Sequence, residues 1–148
     1  MTLQDWCSSG WLLGHETSAE EIRGMLAVAD RDLRDAASEN LSDDWRFNIA
    51  YNAALQLAGA ALAAAGFRVS RGGSHHHHTV HSLAHTIGAD ESTVRLLDRF
   101  RRKRNVAEYE AAGTVSEVEV AEMLGLADDL RDRVIGWLRS EHPRLLDA

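Results

Sequence analysis

The sequence is poor in cysteine and in long apolar runs, and each shortage excludes a class of protein. Cys7 is the only cysteine, so the chain forms no internal disulfide and carries no sign of an oxidising compartment. The longest apolar stretch, residues 53–66, is too short to span a bilayer and contains Gln56. The first residues lack the basic and then apolar plan of a signal peptide. We therefore expect a soluble cytoplasmic protein with no membrane segment.

Proline and strand-like alternation are also scarce, which favours helices throughout. Pro143 is the one proline, and no run alternates apolar and polar residues over the length of a strand. Apolar periodicity predicts helices over about 17–37, 42–65, 79–87, 91–112 and 116–140. We expect an all-α fold, an antiparallel four-helix bundle with one short additional helix. Residues 17–148 would form this single domain, with residues 1–16 as an N-terminal arm lying across it.

Sequence signals mark several helix ends. Ser18 with Glu21, and Ser116 with Glu119, have the spacing of a capping box, in which each side chain bonds the other residue's backbone N–H. Gly66 follows the second long helix as a C-terminal stop. Because that helix is apolar nearly all round, we expect it to be the central and most buried element.

One polar stripe interrupts the apolar surface of this central helix. Asp44, Asn48, Asn52 and Gln56 recur every four residues and therefore share a face. Two interpretations are open. The stripe is a ridge that reaches solvent or pairs with another helix, or it is the polar wall of a cleft that faces Arg104.

Residues 99–104 carry five basic side chains in a protein whose formal net charge is −7. A helical step of about 100° per residue places Arg104 beside the apolar face that includes Phe100, whereas Arg99 and Arg102 point to solvent. An inward arginine requires a partner, because an isolated buried charge is strongly unfavourable. That partner is either a structural carboxylate or a phosphate of a ligand.

Six histidines are concentrated in the eleven residues from 75 to 85. On a helix over 79–87, His78, His81 and His85 share the face opposite the apolar one. Neutral imidazoles at this spacing are suitable ligands for zinc, nickel or copper, so these three residues are an alternative metal site. The main expectation is that the protein has no metal and no cofactor.

Basic residues in other parts of the chain favour phosphate or RNA as a ligand. Arg68 and Arg71 lie on a glycine-containing loop, and together with the histidines and the basic helix they are able to form one positive surface. Net acidity argues against binding to duplex DNA. The candidate ligand-binding residues are Arg68, Arg71, Arg101, His77, His78 and Asn52.

Three short segments together resemble the HEPN superfamily, in particular its small bacterial members. They are RFNIAYNAA at 46–54, GFR at 66–68, and RRKRN at 101–105 followed by Glu108 and Tyr109, with a histidine-rich turn between the last two. The resemblance covers about 18–140. It implies an all-α bundle, frequent homodimers and, in active members, metal-independent RNA cleavage. Many active members are toxins or defence nucleases, which implies a cognate antitoxin or nucleotidyltransferase as partner.

The resemblance also implies catalytic residues. In active members an arginine and an adjacent polar residue are followed, four to six positions later, by a histidine. Arg104 and Asn105 match the first two, whereas the window for the histidine holds Tyr109, Glu110 and Ala111. The expected proton-transfer group is therefore absent from the motif. Two alternatives are open: Tyr109 holds the ligand, or a histidine from 75–85 approaches Arg104 in the fold or across a dimer and replaces the missing group.

Three functions are thus predicted for testing. The first is an RNA-binding or nucleotide-binding HEPN-like domain, with Arg104, Asn105 and Tyr109 as its catalytic candidates if it is a ribonuclease. The second is a catalytically silent interaction or dimerisation module in which Arg104 forms a core salt bridge. The third is a metal-binding bundle that uses His78, His81 and His85.

Overall fold

A computed structural model describes residues 1–71, 75–105 and 113–147, without the side chain of Asn105. It is mostly helical, with 73% of the described residues in helices, and these residues also form one small sheet of two strands. In the described ranges the helices are α1 (Leu3–Ser8), α2 (Ala19–Ala36), α3 (Asp43–Ala64), α4 (His75–His81), α5 (Glu91–Asn105) and α6 (Glu117–Glu141). The strands are β1 (Leu12–Gly14) and β2 (Phe67–Val69).

Helix α3 is the central element, as its sequence predicts. Half of its 22 residues are buried, and it packs against α2, α6, α4 and α5. Phe47 is fully buried and meets Phe100 of α5 edge to face, with ring centroids 5.3 Å apart. Gly66 follows the helix with a φ of +99°, a conformation that favours glycine and ends the helix where predicted.

Helices α2 and α6 cover α3 with apolar stripes of helical period. Ile22 and Ala29 are buried on α2, and Val120, Ala127 and Val134 are buried on α6. This spacing places each set on one face, which packs against α3 and leaves the charged face to solvent. The core is therefore built mainly between these three helices.

The two predicted capping boxes have different outcomes. At α6, Ser116 and Glu119 each accept the other's backbone N–H, so the prediction is confirmed. At α2, the Ser18 side chain accepts a hydrogen bond from the backbone N–H of Glu21, as predicted. The Glu21 carboxylate, however, does not bind the backbone of Ser18. It accepts a hydrogen bond from Thr17 Oγ1 at 2.6 Å and lies 2.7 Å from His15 Nε2. The predicted hydrogen bond from the Ser18 backbone to the Glu21 side chain is therefore wrong, because two side chains outside the helix bind this carboxylate.

The sequence did not predict the small sheet, whose strands cover residues 12–14 and 67–69, outside the predicted helices. These residues pair as antiparallel strands, with Leu12 opposite Val69 and Gly14 opposite Phe67. Three residues are too few to give an alternating pattern, so the sequence carries no periodic signal for them. The strand β1 and helix α1 attach the N-terminal residues to α3, where Trp6 and Leu12 pack with Leu62.

The short helix begins earlier than predicted. Helix α4 covers His75–His81, and a 3-10 turn over Ser82–Ala84 follows it, in place of one helix over 79–87. Thr79 and Ser82 are buried, and their hydroxyls donate to backbone carbonyl oxygens of the same segment. These two hydrogen bonds allow polar residues on the buried side.

Helix α5 follows and is described as far as Asn105, so its predicted continuation to residue 112 lies outside the described residues. Within the described ranges, no helix is both long enough and apolar enough to cross a membrane.

Candidate functional site

The inner face of α5 ends in Arg104. Val94, Leu97 and Phe100 are buried on this face, and Arg104 comes one turn after Phe100. The Arg104 side chain is half-buried, and its Cζ lies 5.5 Å from the centroid of the Tyr51 ring. A guanidinium at this distance is attracted by the ring quadrupole. Arg99 and Arg102 are exposed, as predicted.

Arg104 lines a pocket of about 200 Å³ between α2, α3 and α5. The residues around it are Asp32, Trp45, Asn48, Ile49, Asn52 and Arg104. The pocket therefore joins Asn48 and Asn52, the middle of the predicted polar stripe, to Arg104.

The polar stripe also makes structural contacts. It is therefore in part a ridge that pairs with other elements and in part the wall of a cleft that faces Arg104. Asn52 Nδ2 donates to Asp32 Oδ2 at 2.7 Å, which pairs α3 with α2. The backbone N–H of Gly113 donates to Asp44 Oδ2 at 2.6 Å. The stripe thus contacts a neighbouring helix and a loop, and between these contacts it forms one wall of the pocket.

Three pocket residues, Asp32, Trp45 and Ile49, were not selected from the sequence. Asp32 is only 5% exposed and interrupts the buried stripe of α2, which is the signal that marks it. Its carboxylate also accepts Arg31 Nη2 at 3.1 Å. Trp45 of α3 is 61% exposed at the pocket. An exposed indole beside a polar pocket offers a flat stacking surface.

Two buried oxygens near Arg104 lack a hydrogen-bond partner among the described residues. They are Asn48 Oδ1, in the pocket wall, and the hydroxyl of Tyr51. Burial raises the pKa of Tyr51 to about 12, although the charges of Arg101 and Arg104 act in the opposite direction. The Tyr51 hydroxyl therefore stays protonated at neutral pH and is a donor rather than a base.

A second polar cluster lies on the α4 side of α5. His77 Nδ1 is 3.4 Å and His81 Nε2 is 3.6 Å from Asp98 Oδ1, and the two imidazole rings are 4.1 Å apart. Arg101 Nε donates to the same carboxylate oxygen at 2.9 Å. Thus Arg101 and His77, both predicted as ligand-binding residues, share Asp98 and not the pocket of Arg104.

The charges of this cluster act on one another. Burial raises the pKa of Asp98, but the hydrogen bond and charge of Arg101, with the two histidines, outweigh burial and lower it below its usual value. Burial and the neighbouring His77 lower the pKa of His81, against the attraction of Asp98. Asp98 is therefore ionised and His81 is mostly neutral at pH 7.

The histidines predicted to share one face are divided between two surroundings. His78 stacks on Trp11, with centroids 4.7 Å apart and planes 14° apart, and His85 meets the edge of Trp6 at 5.1 Å. Only His81 of the predicted set lies beside Asp98. Helix α4 begins at His75, so His77 lies one turn before His81 on the same face beside Asp98, whereas His78 and His85 both meet Trp6.

A groove of about 680 Å³ runs beside this cluster. His81, Ser92, Leu96 and Asp98 line it together with the arginines Arg95, Arg99 and Arg102. The exposed side of α5 thus carries three guanidinium groups over one concave surface, of which Arg95 pairs with Glu91 and Arg102 with Asp98.

The remaining predicted residues do not join the Arg104 pocket or lie outside the described ranges. Arg68 and Arg71 are exposed, and neither lines the pocket. Tyr109 and the side chain of Asn105 lie outside the described residues. His77 and His81 are next to Asp98 and do not line the Arg104 pocket.

Comparisons with known proteins leave the family open. No protein-family model matches the chain, and no curated protein matches it.

Proposed function

We propose that this chain is a HEPN-like helical bundle that binds single-stranded RNA or a nucleotide through the Arg104 pocket. The observation that carries the proposal is the meeting of Arg104 with Asn48, Asn52 and Trp45 around one cavity. This set combines a cation, two amides and an indole, which are the groups that contact phosphate, base edges and base faces in single-stranded nucleic acids.

Each side chain has a distinct part in the proposal. The half-buried Arg104 guanidinium offers charge-assisted hydrogen bonds to a phosphate. The exposed indole of Trp45 supplies a face on which a base stacks. Asn48 Oδ1, buried without a partner among the described residues, accepts a hydrogen bond from an amino group of the base.

The size of the pocket limits what enters it. At about 200 Å³ it is smaller than the usual site of a drug-sized ligand, which is roughly 300–1,000 Å³. One base or one phosphate group therefore occupies the pocket, and the rest of the strand stays on the surface. The buried carboxylate of Asp32 repels additional phosphates and favours the amino edge of a base.

Binding, and not cleavage, is the core of this proposal. The described residues of the pocket include no imidazole, and the buried Tyr51 nearby keeps its proton at neutral pH. Ribonuclease activity in a toxin or defence system is a second step of the proposal, with Arg104, Asn105 and Tyr109 as its catalytic candidates.

The test compares Arg104→Gln with Arg102→Gln, its exposed neighbour on the same helix. Fluorescence anisotropy with a labelled single-stranded RNA of mixed sequence measures affinity, and gel analysis of the same RNA measures cleavage. We expect Arg104→Gln to weaken binding at least tenfold, with a small change in melting temperature, and Arg102→Gln to weaken it about twofold or threefold. Trp45→Ala should also weaken binding, because a stacked base is lost.

Other results would refute the proposal. If the unmodified protein binds neither RNA nor nucleotides, or if both arginine variants lose affinity equally, the pocket is not the site. If RNA binding is absent and Arg104→Gln lowers the melting temperature strongly, Arg104 belongs to a structural ion pair in a silent interaction module.

Exposed apolar side chains favour the interaction module as a second candidate, with a homodimer or a cognate antitoxin or nucleotidyltransferase as partner. Trp45 is 61% and Val118 is 66% exposed, and both side chains offer apolar area to a partner. Light scattering after size-exclusion chromatography distinguishes the two uses of Trp45. A shift from dimer to monomer in Trp45→Ala supports a subunit contact, whereas an unchanged mass with weaker RNA binding supports base stacking.

A further inference from the structure

Three potential ligand atoms from two helices converge beside α5. His77 and His81 are one turn apart on α4, and Asp98 lies on α5 opposite them. One ring nitrogen of each histidine and one carboxylate oxygen of Asp98 all lie within 4.8 Å of one another. This group differs from the histidine set that the sequence indicates, because one of its members belongs to another helix.

The separations between these atoms suit a small cation. Ligand atoms about 2.0–2.1 Å from a tetrahedral zinc ion are roughly 3.3–3.5 Å from one another. His77 Nδ1 and His81 Nε2 already lie 3.4 and 3.6 Å from Asp98 Oδ1. A cation between the three atoms therefore requires only small side-chain movements.

We propose that His77, His81 and Asp98 form a binding site for one divalent transition-metal ion, with Zn²⁺ as the best fit. Two imidazoles and one carboxylate are a donor set that zinc accepts, and three protein ligands leave a fourth position for water or an anion. The site is separate from the Arg104 pocket and does not depend on RNA binding.

The surroundings of His81 and Asp98 support the assignment. His81 Nε2 is buried and makes no hydrogen bond within the part of the chain that the structure describes, since Asp98 Oδ1 at 3.6 Å is beyond hydrogen-bonding distance. A metal ion between these two atoms would satisfy this nitrogen. His81 and Asp98 also line the groove of about 680 Å³, which gives the ion an entry path and gives the fourth ligand space.

Two arginines beside Asp98 affect how strongly the site binds: Arg102, with its Nη2 3.5 Å from Asp98 Oδ2, and the closer Arg101. Its Nε donates to Asp98 Oδ1 at 2.9 Å, as the outer hydrogen bonds of metal-ligating carboxylates do. The same guanidinium repels a cation held by that carboxylate. The expected dissociation constant for Zn²⁺ is therefore micromolar rather than nanomolar.

The experiment titrates Zn²⁺ alone into chelator-treated full-length protein by isothermal calorimetry. We expect one site with a micromolar dissociation constant, weakened at least tenfold in His81→Gln and in Asp98→Asn. His85→Gln and His75→Gln are matched controls that keep the site, since both histidines are exposed and lie outside the cluster. Circular dichroism checks that each variant remains folded.

Cobalt provides a second measurement, which reports the coordination geometry of the bound ion rather than its affinity. Co²⁺ in the site should give the visible absorption of a four-coordinate ion, and the signal should disappear in His81→Gln. The proposal is overturned if Zn²⁺ does not bind, if Asp98→Asn binds as the unmodified protein does, or if His75→Gln or His85→Gln abolishes binding. Loss of binding in His75→Gln would assign the ion to the exposed histidine run, and loss in His85→Gln would assign it to the set with His85.

Discussion

Asp32 and Asn52 join two helices through a single, partly buried hydrogen bond. Asn52 Nδ2 lies 2.7 Å from Asp32 Oδ2, and Asp32 is 5% exposed. A buried carboxylate is costly unless polar groups satisfy it, and here Asn52 and Arg31 do so. The pair thereby fixes the polar side of α3 against α2 and positions Asn52 at the wall of the Arg104 pocket.

Tyr51 presents the opposite case, because its buried hydroxyl has no hydrogen-bond partner among the described residues. A buried polar atom without a partner is destabilising by about 1–3 kcal/mol. Tyr51→Phe removes that atom and keeps the ring, so the free energy of unfolding should stay the same or rise by about 1 kcal/mol. Urea denaturation measures the change.

The matched variant is Tyr51→Ala, which also removes the fully buried ring and should lower the free energy of unfolding by about 3–5 kcal/mol. A loss above about 1 kcal/mol in Tyr51→Phe would contradict the prediction and show that the hydroxyl makes a stabilising bond.

At the scale of elements, the glycines inside α6 differ from the glycine in the turn before it. Gly125 and Gly136 are exposed positions inside α6, and a Cβ at either one would meet no atom within 4 Å. Gly113 has a φ of +79°, which L side chains rarely adopt. Glycine is thus required by the backbone at Gly113 but not at the two positions in α6.

Replacing both glycines of α6 with alanine should stabilise the protein. Alanine is favoured over glycine in a helix interior by about 0.5–1 kcal/mol, so Gly125→Ala with Gly136→Ala should raise the free energy of unfolding by about 1–2 kcal/mol. Thermal and urea denaturation measure the gain. Gly113→Ala is the control and should be destabilising; equal effects at all three positions would refute the argument.

At the scale of the whole molecule, four helices begin with an acidic side chain whose pKa is lowered. Hydrogen bonds from the backbone of Thr2 and the side chain of Thr17 lower the pKa values of Asp5 and Glu21. Asp90, directly before α5, is held by hydrogen bonds from Thr93 and Ser92. Burial raises the pKa of Glu119, but hydrogen bonds from Ser116 and the nearby Lys103 charge outweigh it. These carboxylates lie at the N-terminal ends of α1, α2, α5 and α6.

Acid should therefore weaken several helix starts together. A carboxyl whose folded pKa lies below its unfolded value binds fewer protons in the folded state, so its contribution to stability is present above the unfolded pKa and is lost as pH falls through the folded one. The unfolded values are 3.8 for aspartate and 4.5 for glutamate, so the loss should begin below about pH 5.

Melting temperatures measured between pH 7 and pH 3 test this prediction. The variant Glu21→Gln with Glu119→Gln should be less stable at pH 7 and should lose less stability on acidification than the unmodified protein. Parallel curves for the two proteins would show that these carboxylates do not drive the acid response.

The sequence alone determined the long helices and the side chains that share a face on each. The period of apolar residues located α2, α3 and α6, and Gly66 marked the end of α3. The same periodicity placed Arg104 on the inner side of α5. These features depend on the geometry of one helix, which local spacing describes.

Only the tertiary structure decided which elements meet. It paired β1 with β2, brought Asp32 to Asn52, and placed Asp98 beside His77 and His81. These contacts join residues that are far apart in the chain, and each depends on how helices pack and turn relative to one another.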